Sequence, residues 1–137
     1  MSKPRILLID DDEALLGSLR DLLEAFDYEV YLATNGPAGL SQAQETKPDL
    51  VILDVMMRTD TEGLEIARRL RSLPELRATR IMLVTGMLKT LGIAGSSLTI
   101  DPQWLPVDLI LEKPVEPDML IKEIRRLLKN KHSGDKK

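Results

Sequence analysis

Short apolar runs that end in acidic residues are the main pattern of this chain. The run Ile6–Ile9 leads directly into the acidic triplet Asp10–Asp12, and the run Leu50–Leu53 leads into Asp54. A short apolar run bounded by polar residues is typical of a buried strand. The carboxyl ends of parallel strands form the sheet edge at which open α/β proteins bind ligands. The pattern therefore predicts an acidic pocket at one edge of a sheet.

Further strands and helices alternate along the rest of the chain. Asp12 is expected to cap the first helix, and Pro37 suits the first turn of the second. Helical spacing predicts that the first helix turns Leu15, Leu19, Leu22, Leu23 and Phe26 inward. The predicted strands are Ile6–Ile9, Tyr28–Leu32, Leu50–Leu53, Ile81–Val84 and Val107–Leu111. The predicted helices run from Glu13 to Phe26, from Pro37 to Thr46, from a cap at Asp60 or Thr61 to just before Pro74, and from Pro117 through Leu128. Alternating strands and helices predict a parallel sheet with helices on both faces.

Two segments do not fit this alternation. Met87–Pro106 mixes apolar residues with Gly, Ser and Pro, which argues against a long helix, although a short helix is compatible with the pattern. A loop of this length without structure would be unusual and is often functional. The last residues, 133–137, are expected to fray beyond a single domain at 1–132.

Composition and charge exclude several classes of function. The chain has 137 residues, a formal net charge of −3 and no cysteine, so disulfides, thiol catalysis and cysteine-ligated zinc are excluded. Its apolar runs are far shorter than the roughly 20 residues that span a membrane. Basic residues gather in the last third of the chain, but without interleaved aromatic residues they indicate a solvated helix face rather than a nucleic-acid surface. We expect a cytoplasmic protein that binds neither nucleic acid nor membrane directly.

Five side chains at the ends of predicted strands suit phosphoryl transfer. Asp10, Asp11 and Asp54 offer the carboxylate oxygens that Mg²⁺ prefers. Asp54 could also act as a nucleophile that forms an aspartyl phosphate. Thr85 offers a hydroxyl group and Lys113 an ammonium group to phosphoryl oxygens, whose charge must be neutralised during transfer.

Four stretches of the chain carry a family resemblance. They are Ile6–Glu13, Asp49–Met57, Val84–Gly86 and Glu112–Pro114. In this order they resemble the receiver domain of two-component response regulators, and the resemblance covers nearly the whole chain. It implies a flavodoxin-like, doubly wound sheet of five parallel strands in the order 2-1-3-4-5. In such domains the Lys-Pro bond is typically cis.

The resemblance also implies a role for each candidate residue. Asp10, Asp11, Asp54 and the main-chain carbonyl of Met56 would bind Mg²⁺. Asp54 would accept the phosphoryl group from a sensor histidine kinase or phosphotransfer protein. Thr85 and Lys113 would hold the phosphate and report it to a face near the helices that follow the fourth and fifth strands. A downstream protein would read that face, and a homodimer is compatible with this function.

Several positions depart from the family pattern. Arg58 follows Met57 where a proline is usual, and the segment to Gly63 is one residue longer. Ile110 replaces the aromatic residue that usually stands three positions before the lysine. The spacing from Thr85 to Lys113 is longer than usual, so the surface around Trp104 is expected to be remodelled.

Two alternatives remain open at this point. Asp10-Asp11-Asp12 has the Asp-x-Asp spacing of the haloacid dehalogenase family, so a Mg²⁺-dependent phosphatase is one hypothesis, although Glu13-Ala14 do not fit it. The departures at Met56–Gly63 and Ile110 favour a second hypothesis, in which the chain is an interaction module that works without phosphorylation. In both alternatives the fold is still α/β.

Overall fold

Five strands form one parallel sheet in the computed structural model, which describes residues 3–54, 62–85 and 107–135 of the chain. The strands are β1 (Arg5–Ile9), β2 (Glu29–Ala33), β3 (Leu50–Asp54), β4 (Arg80–Thr85) and β5 (Leu109–Glu112). They pair in the order β2-β1-β3-β4-β5, and every neighbouring pair is parallel. The predicted fold and strand order are therefore confirmed.

Helices follow the strands and begin at recognisable caps. They are α1 (Glu13–Ala25), α2 (Gly36–Thr46), α3 (Glu62–Ser72) and α4 (Pro117–Asp135), with a short 3₁₀ helix at Pro74–Leu76. The Asp12 carboxylate accepts a hydrogen bond of 3.1 Å from the Leu15 N–H, as predicted for the cap of α1. The Asn35 side chain caps α2 in the same way, and Lys47 ends that helix in the left-handed conformation, with φ at 48°.

The central strands are buried on both sides, and their side chains alternate between two apolar layers. Leu7, Ile9, Val51 and Leu53 belong to the layer under α2 and α3. The residues between them, including Leu8 and Ile52, belong to the layer under α1 and α4. The sheet is therefore covered on both faces, and the carboxyl ends of β1 and β3 emerge side by side at one edge.

An ion-pair network fixes the opposite edge of the sheet. The Asp108 carboxylate lies 3.0 Å from the Arg71 guanidinium and 3.1 Å from that of Arg80. It also accepts a hydrogen bond of 2.8 Å from the Ile81 N–H at the start of β4. Because Asp108 directly precedes β5, these contacts tie the start of this edge strand to β4 and to the end of α3.

Details of two predicted helices differ from the structure. Phe26 was expected to face the core but is 41% exposed, and Leu16 is buried instead. Phe26 lies just beyond α1, with φ −97° and ψ 17°, so the helical spacing no longer sets the direction of its side chain. The α4 helix extends beyond Leu128 to Asp135, and the division into a domain at 1–132 and a tail at 133–137 stays a prediction. The predicted cap at Asp60 or Thr61 and the segment Met87–Pro106 lie outside the described residues.

Candidate acidic site at the carboxyl edge of the sheet

Three carboxylates meet where β1 and β3 end. Asp10 directly follows β1, Asp54 is the last residue of β3, and the two strands are neighbours in the sheet. Asp10 and Asp54 are only 6% and 5% exposed, whereas Asp11 lies at the surface. One oxygen from each of the three carboxylates lies within 4.8 Å of the others. The structure thus brings these three predicted residues together.

Lys113 brings a positive charge to this cluster from the far side of β4. Its Nζ lies 3.3 Å from Oδ2 of Asp54 and 3.7 Å from Oδ2 of Asp10. The side chain follows the edge strand β5, and the Lys113–Pro114 peptide bond is cis. A single ammonium group therefore contacts both buried carboxylates of the cluster.

The Asp10 carboxyl group is costly to ionise in this environment. Burial is the main cause that raises the pKa of Asp10 from an ordinary 3.8 to about 6, and the nearby charge of Asp54 adds to the effect. The Asp12 N–H donates a hydrogen bond of 2.9 Å to Asp10, and together with the Lys113 charge it holds the pKa below what burial alone would give. A cation bound between the carboxylates would relieve this cost.

The cluster has the donor set of a hard divalent cation. Mg²⁺ is usually bound by one or two carboxylates and keeps several waters, and here two buried acids and one exposed acid face one another. The exposed position of Asp11 leaves that side of the cluster open to solvent. Asp10, Asp11 and Asp54 therefore fit Mg²⁺ by number, type and spacing of their oxygens.

The other residues that the sequence singled out lie either in described strands or outside the described residues. Thr85 ends β4 and pairs with Glu112 of β5, so its main chain reaches the same sheet edge. Met56, Arg58 and Trp104 lie outside the described residues, and the role expected of each stays a prediction. Ile110 is buried in the apolar layer under α2 and α3, as a packing residue.

Sequence reasoning missed two features beside this site. The hydrogen bond from the Asp12 N–H to Asp10 has a local signal, because an aspartate often accepts from the residue two positions later. An apolar cleft next to Lys113, lined by Leu15 and Leu19 among others, has no such signal. It depends on the spacing of two helices that are far apart in the chain.

Comparisons with known proteins agree with this fold. The family model described as "Response regulator receiver domain" matches residues 6–125. The chain is 33% identical over 127 residues to the response regulator PleD of Caulobacter vibrioides, and the aligned region covers 93% of this chain and 26% of PleD. It is 34% identical over 131 residues to the response regulator MprA of Mycobacterium leprae, and the aligned region covers 96% of this chain and 54% of MprA. The chain thus spans between a quarter and about half of the length of these curated relatives.

Solved structures show the same similarity. A CheY-like response regulator receiver domain protein from Methanospirillum hungatei superposes with a TM-score of 0.81 at 28% identity, covering 97% of this chain and 99% of that one. A putative response regulator from Chloroflexus aurantiacus gives a TM-score of 0.77 at 26% identity, covering 93% and 98%. Among the described residues, no helix combines the length and the apolar character that crossing a bilayer requires.

Proposed function

The chain belongs to the response regulator receiver domain family, and on that basis we propose that it is a Mg²⁺-dependent switch that carries the phosphoryl group on Asp54. Receiver domains are phosphoacceptor signalling domains of two-component systems rather than classical enzymes, and they interact with histidine kinases and downstream effectors. The observation that carries the assignment to Asp54 is its position, since it is a buried carboxylate within 4.8 Å of two other acids and 3.3 Å from Lys113.

The chemistry of the proposed transfer follows from these positions. One Asp54 oxygen attacks the phosphorus of a kinase phosphohistidine, the new O–P bond forms, the P–N bond breaks, and the imidazole leaves. Asp10, Asp11 and Asp54, with the Met56 carbonyl, would hold Mg²⁺, which when bound neutralises charge on the phosphoryl oxygens. Later attack of water on phosphorus releases inorganic phosphate and restores the carboxylate.

Lys113 would change partner during this reaction. Its ammonium group contacts Asp54 in the unmodified protein, and a phosphoryl group there adds a charge of roughly −1.5 to −2. The ammonium group is then attracted to a phosphoryl oxygen, and Thr85 would donate its hydroxyl to another. Small shifts of the main chain at the ends of β4 and β5 would carry the change to a surface that a partner reads.

Labelling with a small phosphodonor tests this proposal. Acetyl phosphate should add one phosphoryl group, detected by mass spectrometry of the intact protein, only in the presence of Mg²⁺. Asp54→Asn should abolish this labelling because the nucleophilic oxygen is lost. Asp49→Asn is the matched control, since Asp49 precedes β3 at the opposite edge of the sheet, and it should label normally. Labelling that persists in Asp54→Asn would assign the nucleophile to another residue.

The alternatives from the sequence are not favoured. The match of residues 6–125 to the receiver domain family model supports a receiver domain over a haloacid dehalogenase phosphatase. An interaction module that works without phosphorylation would not bind beryllofluoride in the presence of Mg²⁺, whereas the proposed switch should bind it. A cytoplasmic location is part of the proposal, since a chain without cysteine suits a reducing compartment.

A further inference from the structure

A cleft of about 430 Å³ lies beside the acidic site, between α1 and the start of α4. Its lining is almost entirely apolar and comes from Leu15 and Leu19 of α1, Ile52 and Val84 of the sheet, and Val115 before α4. Protein interiors leave few voids larger than a water molecule, whereas small-molecule pockets enclose about 300–1,000 Å³. The cleft therefore has the size and character of a ligand pocket.

The start of α4 explains why the described side chains leave this space open. Met119 is the large apolar residue of the first turn, but it is 53% exposed and turns away from the core. Leu120 is the first buried side chain of α4, and it belongs to the layer under α1 and α4 and lines part of the cleft. Leu15 and Leu19, one helical turn apart on α1, are left only partly buried.

The cleft adjoins the acidic site. A smaller void of about 30 Å³ shares Leu15, Leu19, Val84 and other lining residues with the cleft and also touches Asp10 and Asp54. Lys113 lines both spaces, so it lies where the apolar cleft borders the acidic site. The lining of the cleft includes Lys113 but none of the three acids.

The charges at this boundary select the type of ligand. A lysine ammonium group has three N–H donors, and that of Lys113 lies 3.3 Å from Asp54 and 3.7 Å from Asp10. An anionic ligand would meet the negative potential of three clustered carboxylates. A neutral hydrogen-bond acceptor avoids this repulsion and can still accept from the lysine.

We propose that the α1–α4 cleft binds a neutral, mainly apolar small molecule with one hydrogen-bond acceptor directed at Lys113. Such a ligand covers the apolar walls and engages Lys113, the charged group among the described lining residues. It would contact the stem and the ammonium group of the lysine that the proposed function assigns to the phosphoryl group. The binding itself needs neither phosphorylation nor Mg²⁺.

An NMR titration of the full chain tests the proposal without any phosphodonor, so its result is separate from that of the labelling experiment. The probes are 4-phenylphenol, which is neutral, and biphenyl-4-carboxylate, its anionic counterpart of similar shape, both in metal-free buffer near neutral pH. We expect saturable shifts of the amide signals of Leu15, Leu19, Val84 and Val115 with the phenol. The carboxylate should bind about tenfold more weakly or worse, which corresponds to about 1.4 kcal/mol.

Two variants that fill the cleft provide the second arm. Val115→Phe and Leu15→Phe enlarge partly buried side chains of the lining, and each should weaken phenol binding about tenfold or more. Leu40→Phe is the matched control, because Leu40 is partly buried in the layer on the other face of the sheet, and it should leave binding unchanged. Thermal unfolding shows which variants are folded, and either filling variant alone is sufficient for the comparison.

Three results would overturn the proposal. The first is the absence of saturable phenol binding up to its solubility limit. The second is equal affinity of the phenol for the wild type and a folded filling variant, or equal affinity of the two probes for the wild type. The third is that the filling variants block phosphotransfer from a histidine kinase while no probe binds, because the cleft would then be a docking surface for a protein.

Discussion

Replacement of Asp10 by asparagine should stabilise the metal-free protein at neutral pH. Burial raises the pKa of Asp10 from 3.8 to about 6, a change of about two units, which corresponds to about 3 kcal/mol between the ionised and neutral forms. Asparagine keeps an oxygen that can accept the 2.9 Å hydrogen bond from the Asp12 N–H. It loses the contact with Lys113 at 3.7 Å, which offsets part of the gain. We therefore expect the free energy of unfolding to rise by about 1–3 kcal/mol.

The gain should depend on pH in a defined direction. The Asp10 carboxyl group loses its proton near its ordinary pKa of 3.8 in the unfolded chain but only near 6 in the native protein. Between these values the native state binds more protons, so the contribution of Asp10 to stability falls as pH rises. Above the native pKa of about 6, the ionised Asp10 carboxylate destabilises the native state to its full extent. Below 3.8 the group is neutral in both states, and the advantage of the variant should largely disappear.

Urea unfolding in a buffer that contains EDTA, at several pH values, measures this difference. Asp21→Asn is a suitable control, because Asp21 is exposed on α1 and its replacement should change stability by no more than about 0.5 kcal/mol. The reasoning is refuted if Asp10→Asn lowers stability at neutral pH, or if its effect is the same at all pH values. With saturating Mg²⁺ the sign should reverse, because the variant lacks one proposed ligand.

The other predictions concern the sheet edges, a helix contact and the metal. Asp108→Ala should lower the free energy of unfolding by about 3 kcal/mol in urea, because it removes the carboxylate that both Arg71 and Arg80 contact; an effect below about 0.5 kcal/mol would contradict this. Gly39→Ala should destabilise by about 1–3 kcal/mol, because its Cβ would overlap the buried side chain of Ile9. Gly17→Ala, with nothing within 4 Å of the new Cβ, should instead stabilise by about 0.5–1 kcal/mol, and equal effects of the two glycine changes would refute the contact argument. Millimolar Mg²⁺ should raise the Tm of the wild type by mass action, and the absence of any shift would count against the metal site.

The fold could be predicted because strand signals and helix signals hardly overlap in this chain. Each apolar run is short and bounded by turn residues, and the helices between them have clear caps such as Asp12 and Asn35. Strand ends were less accurate, because they depend on pairing partners. Val107 is apolar but lies before β5, whereas Glu112 is polar but pairs with Thr85 at the edge of the sheet.

The acidic site was predictable for a related reason. In a parallel sheet every strand presents its carboxyl end at the same edge, so Asp10, Asp54 and Lys113 could be grouped from their positions after apolar runs. The pKa of Asp10 could not be predicted, because it depends on how deeply the carboxyl group is buried and on its distance from Asp54. The cleft could not be predicted either, because it arises from the separation of α1 and α4 rather than from any local pattern.

Lys113 has a role in both proposals. Its ammonium group contacts Asp54 and Asp10, while its side chain also lines the apolar cleft. A cation on the carboxylates would weaken their attraction for the lysine and leave its N–H groups freer to bond a neutral acceptor in the cleft. Cation and cleft ligand should therefore strengthen each other's binding, and linkage requires the same factor in both directions. A phosphoryl group on Asp54 should act in the opposite direction, because its oxygens attract the same ammonium group away from the cleft.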